Sequence, residues 1–149
     1  MAVTNKLFGK FPQNLGGGDV AGDGPMDILS DVLKLTLHAN TWTPNYSTNE
    51  TKTDATGELA TAGGYTALGQ ALASKTYVAS ALVTTMDAAD VTWTGTTFTH
   101  RHGAVWDDTP TAPADPLILD VDNGADITTA LTDLVYQWNA AGLFTFTVA

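Results

Sequence analysis

The run "DAADVTWTGTTFTHRHGAVWDD", residues 87 to 108, gathers two histidines, two tryptophans, an arginine and four aspartates. If "FTHRHGAVW" is extended, successive side chains point to opposite sides. Phe98, His100, His102, Ala104 and Trp106 then share one face, and Thr99, Arg101, Gly103 and Val105 the other. The two imidazoles would stand roughly 6–7 Å apart, a spacing that suits two ligands of one metal ion. A metal site takes three or more protein ligands and further groups to orient the imidazoles. Only a distant strand carrying His38 or an aspartate could supply them. The simpler expectation is a partly exposed histidine pair flanked by aromatics, at an interface or over the edge of a core, with no metal and no cofactor.

A second acidic group, Asp120, Asp122 and Asp126 in "DVDNGAD", has the look of a calcium loop. The glycine comes one place early, and Leu131 stands where a bidentate glutamate should close the shell. A hairpin turn built on Asn123–Gly124 is the better reading, with a weak ion site as the alternative. Nothing here points to an enzyme. There is no cysteine and no serine in a glycine elbow, and only Glu50 and Glu58 are available to work as an acid–base pair with an aspartate. "LGGGDVAGDG" has neither a following lysine nor a preceding strand, so it is not a phosphate loop. Trp42, Trp93, Trp106 and Trp138 offer either a sugar-stacking platform or core packing; Trp93 and Trp138, inside alternating strands, fit the core.

These side chains need strands to position them. In "VLKLTLHA", Leu33, Leu35 and Leu37 oppose Lys34, Thr36 and His38, the period of a half-buried strand. "SKTYVASALV" alternates as well, and "PLILDV", "LVYQWN" and "LFTFTVA" follow. Residues 40 to 58 form a long polar loop, and "AGGY" a turn. "GADITTALTDLVYQW" has helix-like spacing at Ile127, Leu131 and Leu134, but its threonines favour loop into strand. Six or seven short strands with turns between them predict an all-β fold, an antiparallel sandwich or barrel of jelly-roll type.

Residues 12 to 26, "PQNLGGGDVAGDGPM", cannot bury enough apolar surface to offset their ordering entropy. The division expected is an N-terminal arm over 1–30 and a β domain over 31–149. Leu7, Phe8, Phe11 and Leu15 would anchor the arm, either on a neighbouring molecule or, as a terminal strand or short helix, on the chain's own domain. With Trp42, His100 and His102 they make up the candidate partner-binding set. The 149 residues suffice for one core. A net charge of -10 with six scattered Lys and Arg argues against nucleic acid as a partner. No apolar run reaches the roughly 20 residues of a membrane helix, and "MAVTNKLFGKFPQ" lacks a signal-peptide core, so a soluble chain with no membrane partner is expected.

Four segments in order, "GGYTALGQALASKTYV", "DAADVTWTGTTFTHRHGAVWDDTP", "PLILDVDNGAD" and "YQWNAAGLFTFT", resemble a family of small virion structural proteins of tailed bacteriophages. The resemblance covers residues 60 to 148, and "TNKLFGK" is similar to the family's start. Ser74 replaces the family's usual glycine before Lys75. His100 and His102 stand where the family more often has Ala or Thr and Tyr, and the segment 14–24 is unlike it. The resemblance implies a capsid decoration or minor head protein, assembled in the bacterial cytoplasm. It would be a homo-oligomer bound to the major capsid protein or another virion protein. A tail or fibre component, or a carbohydrate-binding host-recognition module, is the alternative.

Overall fold

The computed structural model describes residues 4–16, 26–111 and 113–148. The Gly-rich stretch 17–25, on which the flexible-arm expectation rests, lies outside them. The all-β sandwich is present, with ten strands and no closed barrel among the described residues. β1 (Thr4–Leu7), β8 (Leu117–Thr128), β7 (Thr99–Asp107), β2 (Leu33–His38) and β3 (Gln70–Ala71) lie side by side in that order as the main antiparallel sheet. Two smaller sheets, β10 (Phe144–Thr147) with β5 (Val83–Asp87) and β4 (Thr76–Ser80), and β6 (Val91–Thr96) with β9 (Thr132–Tyr136), complete the fold.

The alternation in β2 decides how the layers form. Leu33, Leu35 and Leu37 point into the larger core, where they meet Met86 of β5, Trp93 of β6, and Leu134 and Tyr136 of β9. The opposite face is covered too, by a second cluster of Phe8, Trp42, Ala55, Ala104, Trp106 and Leu117. The main sheet is therefore buried on both sides, and Thr36 and His38 are fully buried rather than solvated. Close approach at the sheet edge needs Gly69, whose φ is +69°; a Cβ there would sit 2.0 Å from the Leu35 carbonyl oxygen.

Three expectations change. "SKTYVASALV" is not one strand: β4 and β5 form a hairpin whose two-residue turn is Ala81–Leu82, with Ala81 at φ +53°. The segment around Asn123 and Gly124 is no hairpin turn either, but a wide bulge within the twelve-residue β8. His102 pairs with Asp122 and His100 with Ile127, so Arg101 alone faces four residues of β8. Gly124, at φ +73°, permits that excursion.

The third change concerns the N-terminus. Of the two anchorages considered, the described part takes the one on its own domain. β1 pairs with β8 along its whole length. The five-residue helix α1 (Phe11–Leu15), with proline in its first turn, places Phe11 against Phe144 and Phe146 of β10 at ring separations of 5.3 and 6.3 Å. Phe8 and Phe11 are fully buried, Leu7 and Leu15 half-buried. Met26 and Ile28, also within the span assigned to the arm, belong to the larger core.

Candidate functional site

A set of ionisable groups lies together on the second face of the main sheet, under the loop 39–57. On a sheet the directly paired residues share a face, so Lys34, Thr36 and His38 of β2 line up with Trp106, Ala104 and His102 of β7, and the last two with Asp120 and Asp122 of β8. The Nδ1–H of His102 donates to Asp120 Oδ1 at 3.0 Å, and the Tyr46 hydroxyl donates to Asp120 Oδ2 at 2.8 Å. Burial first, and then Asp120, pushes the Tyr46 hydroxyl pKa well above its ordinary value. Trp42 closes the cluster, its ring 4.7 Å from that of His38 and 5.4 Å from that of His102.

The hydrogen positions on His38 follow from its neighbours. Nδ1 is 2.9 Å from the Thr56 carbonyl oxygen, which can only accept, so Nδ1 carries the hydrogen. Burial holds the imidazole below its usual pKa, and the Thr56 carbonyl offsets this only in part. The neutral ring therefore presents a bare Nε2 to the Thr36 hydroxyl at 2.9 Å. An aspartate orienting a histidine is half of an acid–base apparatus, but the two hydroxyls of the cluster, on Thr36 and Tyr46, are bonded to His38 and to Asp120 rather than to His102. What the network does is hold Trp42, Tyr46 and Thr56 of the loop against the sheet. Replacing Asp120 with asparagine is expected to lower stability by about 1–3 kcal/mol, because it sets an amide hydrogen against one of two buried donors. Urea midpoints of the two chains measure this.

The sequence-derived candidates are dispersed rather than united. The bulge in β8 sends His100 to the opposite face from His102, so the two do not form the partly exposed pair expected of an unbroken strand. Both are buried, His100 completely and His102 with 6% of its surface exposed. His100 Nε2 lies 3.0 Å from the Tyr136 hydroxyl in the larger core, and burial lowers its pKa to about 4. The three aspartates separate likewise: Asp120 is held by His102 and Tyr46, Asp122 pairs with Arg101 at 2.8 Å, and Asp126 accepts from Asn40. Among the described residues no three His, Asp or Glu side chains are grouped as a metal site would need.

The tryptophans are not a surface platform. Trp42, Trp93 and Trp106 expose 2% or less, and Trp138 exposes 8% with its indole N–H bonded to the Ala89 carbonyl. Sequence reasoning passed over Tyr46 and Tyr136 and read Asn123 only as half of a turn, yet all three carry much of the buried polar structure. Asp107 belongs with them. Its Oδ1 does accept from the Thr109 amide, yet the side chain is wholly buried, and burial together with Asp31 raises its pKa to about 7.

Comparison with protein-family models, with curated proteins and with solved structures finds no match for this chain. The phage-virion resemblance accordingly rests on the motifs quoted above.

Proposed function

We propose that this chain is a non-enzymatic virion structural protein, a decoration or minor head protein that attaches to an assembled shell through the sheet β10–β5–β4. The observation that carries this reading is that three of the exposed apolar side chains lie on this one sheet, whose edge strand is uncharged. Val78 of β4, Leu82 of the β4–β5 turn and Val148 after β10 are 58%, 62% and 67% exposed. The Val148 amide donates to the Leu82 carbonyl, which sets those two residues side by side at one end of the sheet. β4 is an edge strand without a charged residue, and a bare edge of that kind is a template for pairing with another chain. The ionisable side chains around His102, by contrast, are engaged within the domain.

The test is co-sedimentation with purified heads. Val78→Lys with Leu82→Lys leaves the core untouched, so the variant should fold normally and lose most of its occupancy on heads. Full occupancy by the double variant would reject this attachment surface. Copy number separates the neighbouring alternative: enough copies to cover the shell supports a decoration protein, whereas a count matching one ring at a vertex or tail supports a tail component.

A further inference from the structure

On the side of the molecule that holds the larger core, an open groove of about 980 Å³ runs between the inner face of β1 and β8 and the chain from β9 to β10. Its lining contains no charged side chain, although the protein carries a net charge of -10. It does contain four carboxamides, on Asn5, Asn123, Gln137 and Asn139, beside the aromatic rings of Tyr136 and Trp138. An uncharged lining in an acidic protein gives an anion or a cation no specific partner. Carboxamides both donate and accept, which suits a ligand whose groups also do both.

A second observation concerns Tyr136, which is 6% exposed. Asn123 Nδ2 donates one hydrogen to the Arg101 carbonyl at 2.8 Å and the other to the Tyr136 oxygen at 2.7 Å. His100 Nε2 is the other neighbour of that oxygen, and His100 Nδ1 is buried with no partner. Either tautomer leaves one hydrogen of this network without an acceptor among the described residues: the Nδ1–H of His100 if the phenol donates to Nε2, or the hydroxyl hydrogen of Tyr136 if Nε2 donates to the phenol. In the second arrangement the phenol oxygen accepts from both His100 and Asn123 and its hydrogen is left for a ligand in the uncharged groove that Tyr136 and Asn123 line. Gly103 keeps the arrangement open from below, since a Cβ there would lie 3.3 Å from the Tyr136 hydroxyl oxygen.

We infer that this groove binds a neutral saccharide, with the Tyr136 hydroxyl and the Asn123 carboxamide meeting sugar hydroxyls or acetamido groups and Gln137 and Asn139 closing over the ring. The inference does not depend on shell attachment, which uses a different surface. The experiment is a titration of the isotopically labelled full chain, followed by amide and indole NMR signals. The probes are chitobiose and maltotriose, with a sulfated heparin disaccharide as the charged control. The indole signal of Trp138 and the side-chain amides of Asn123 and Gln137 should move with at least one neutral sugar. Tyr136→Phe should abolish the effect. Gln137→Ala, an exposed change that leaves the fold alone, should weaken binding at least about fivefold, as loss of a ligand hydrogen bond does. The inference is overturned if neither neutral sugar moves these signals at about 20 mM, far above the ~1 mM dissociation constant of even a weak site. Tighter binding of the sulfated control, unchanged binding by both variants, or shifts confined to the main-chain amides of Thr4–Leu7, which would mean strand addition at β1, would each overturn it as well.

Discussion

Replacing Phe11 with alanine should destabilise the isolated chain by about 3–5 kcal/mol, the usual cost of removing a fully buried phenylalanine. For a domain whose whole stability is on the order of 5–15 kcal/mol, that is a large share. Phe11 is completely buried, and it sits between a helix close to the N-terminus and the last strand, touching Phe144 and Phe146. Its loss leaves a cavity that neither β10 nor the backbone of α1 can fill without moving. Urea unfolding should show a lower midpoint at an unchanged slope. A residue whose task was to grip another molecule would leave the midpoint of the isolated chain nearly where it was, so a change under about 0.5 kcal/mol would contradict the packing described here. The same packing means that truncating the first 26 residues is not a clean test of attachment. It removes β1, Phe8 and Phe11 along with the Gly-rich stretch, and would unfold part of the domain it was meant to expose.

The strands were legible wherever one period-two pattern ran without interruption. Leu33–Leu35–Leu37 and Phe144–Phe146 were read correctly because each apolar residue there packs on one side of its strand. Reading failed where the chain departs from its period without the residues that normally announce it. The β4–β5 turn uses Ala81 and Leu82, neither a turn former, and only the backbone angle at Ala81 reveals it. Asn123–Gly124 gave the reverse error: the dipeptide that most often makes a hairpin turn here makes a bulge, since the sheet continues on both sides of it. Turn chemistry is local, whereas the choice between turn and bulge depends on whether a neighbouring strand extends past the break.

The site was less legible than the fold, for a related reason. One bulge decides that His100 and His102 face opposite ways, and no pattern within β7 itself encodes an irregularity that belongs to β8. Tyr46 and Asp120 are 74 positions apart in sequence, and their pairing needs the loop laid over the sheet. A usable signal did exist in "LVYQWN": Leu134, Tyr136 and Trp138 alternate, so a tyrosine is placed among buried residues, and a buried phenol needs partners. The polar face of β2, with Lys34, Thr36 and His38, was taken as solvated because a two-layer sandwich leaves one face of a sheet wet, and the loop 39–57 removes that option.

Two buried ionisable groups should give this chain a pH dependence whose sign a single substitution can change. For His100 the folded pKa, about 4, is below the ordinary 6.5. Its neutral form is therefore favoured by folding, and the stability it contributes is complete above pH 6.5 and is lost as pH falls toward 4. At about 1.4 kcal/mol per unit this approaches 3 kcal/mol, and His38, also lowered by burial, adds in the same direction. Asp107 works the other way. Its folded pKa is raised from 3.8, by burial first and by the nearby Asp31 carboxyl as well. Its stabilising protonated form is complete below the ordinary value and is lost as pH rises toward 7. Between pH 4.5 and 7 the two oppose each other, so the parent chain should show a shallow profile. Asp107→Asn keeps an acceptor for the Thr109 amide and removes the opposing carboxylate. It should raise stability at pH 7 and make the decline on acidification steeper. His100→Gln can still hydrogen-bond to Tyr136, and it should weaken that decline, leaving Asp107 to tilt the profile toward greater stability in acid. Urea midpoints across this range decide the matter, and curves for both variants that merely parallel the parent would show that neither buried group titrates as its surroundings require.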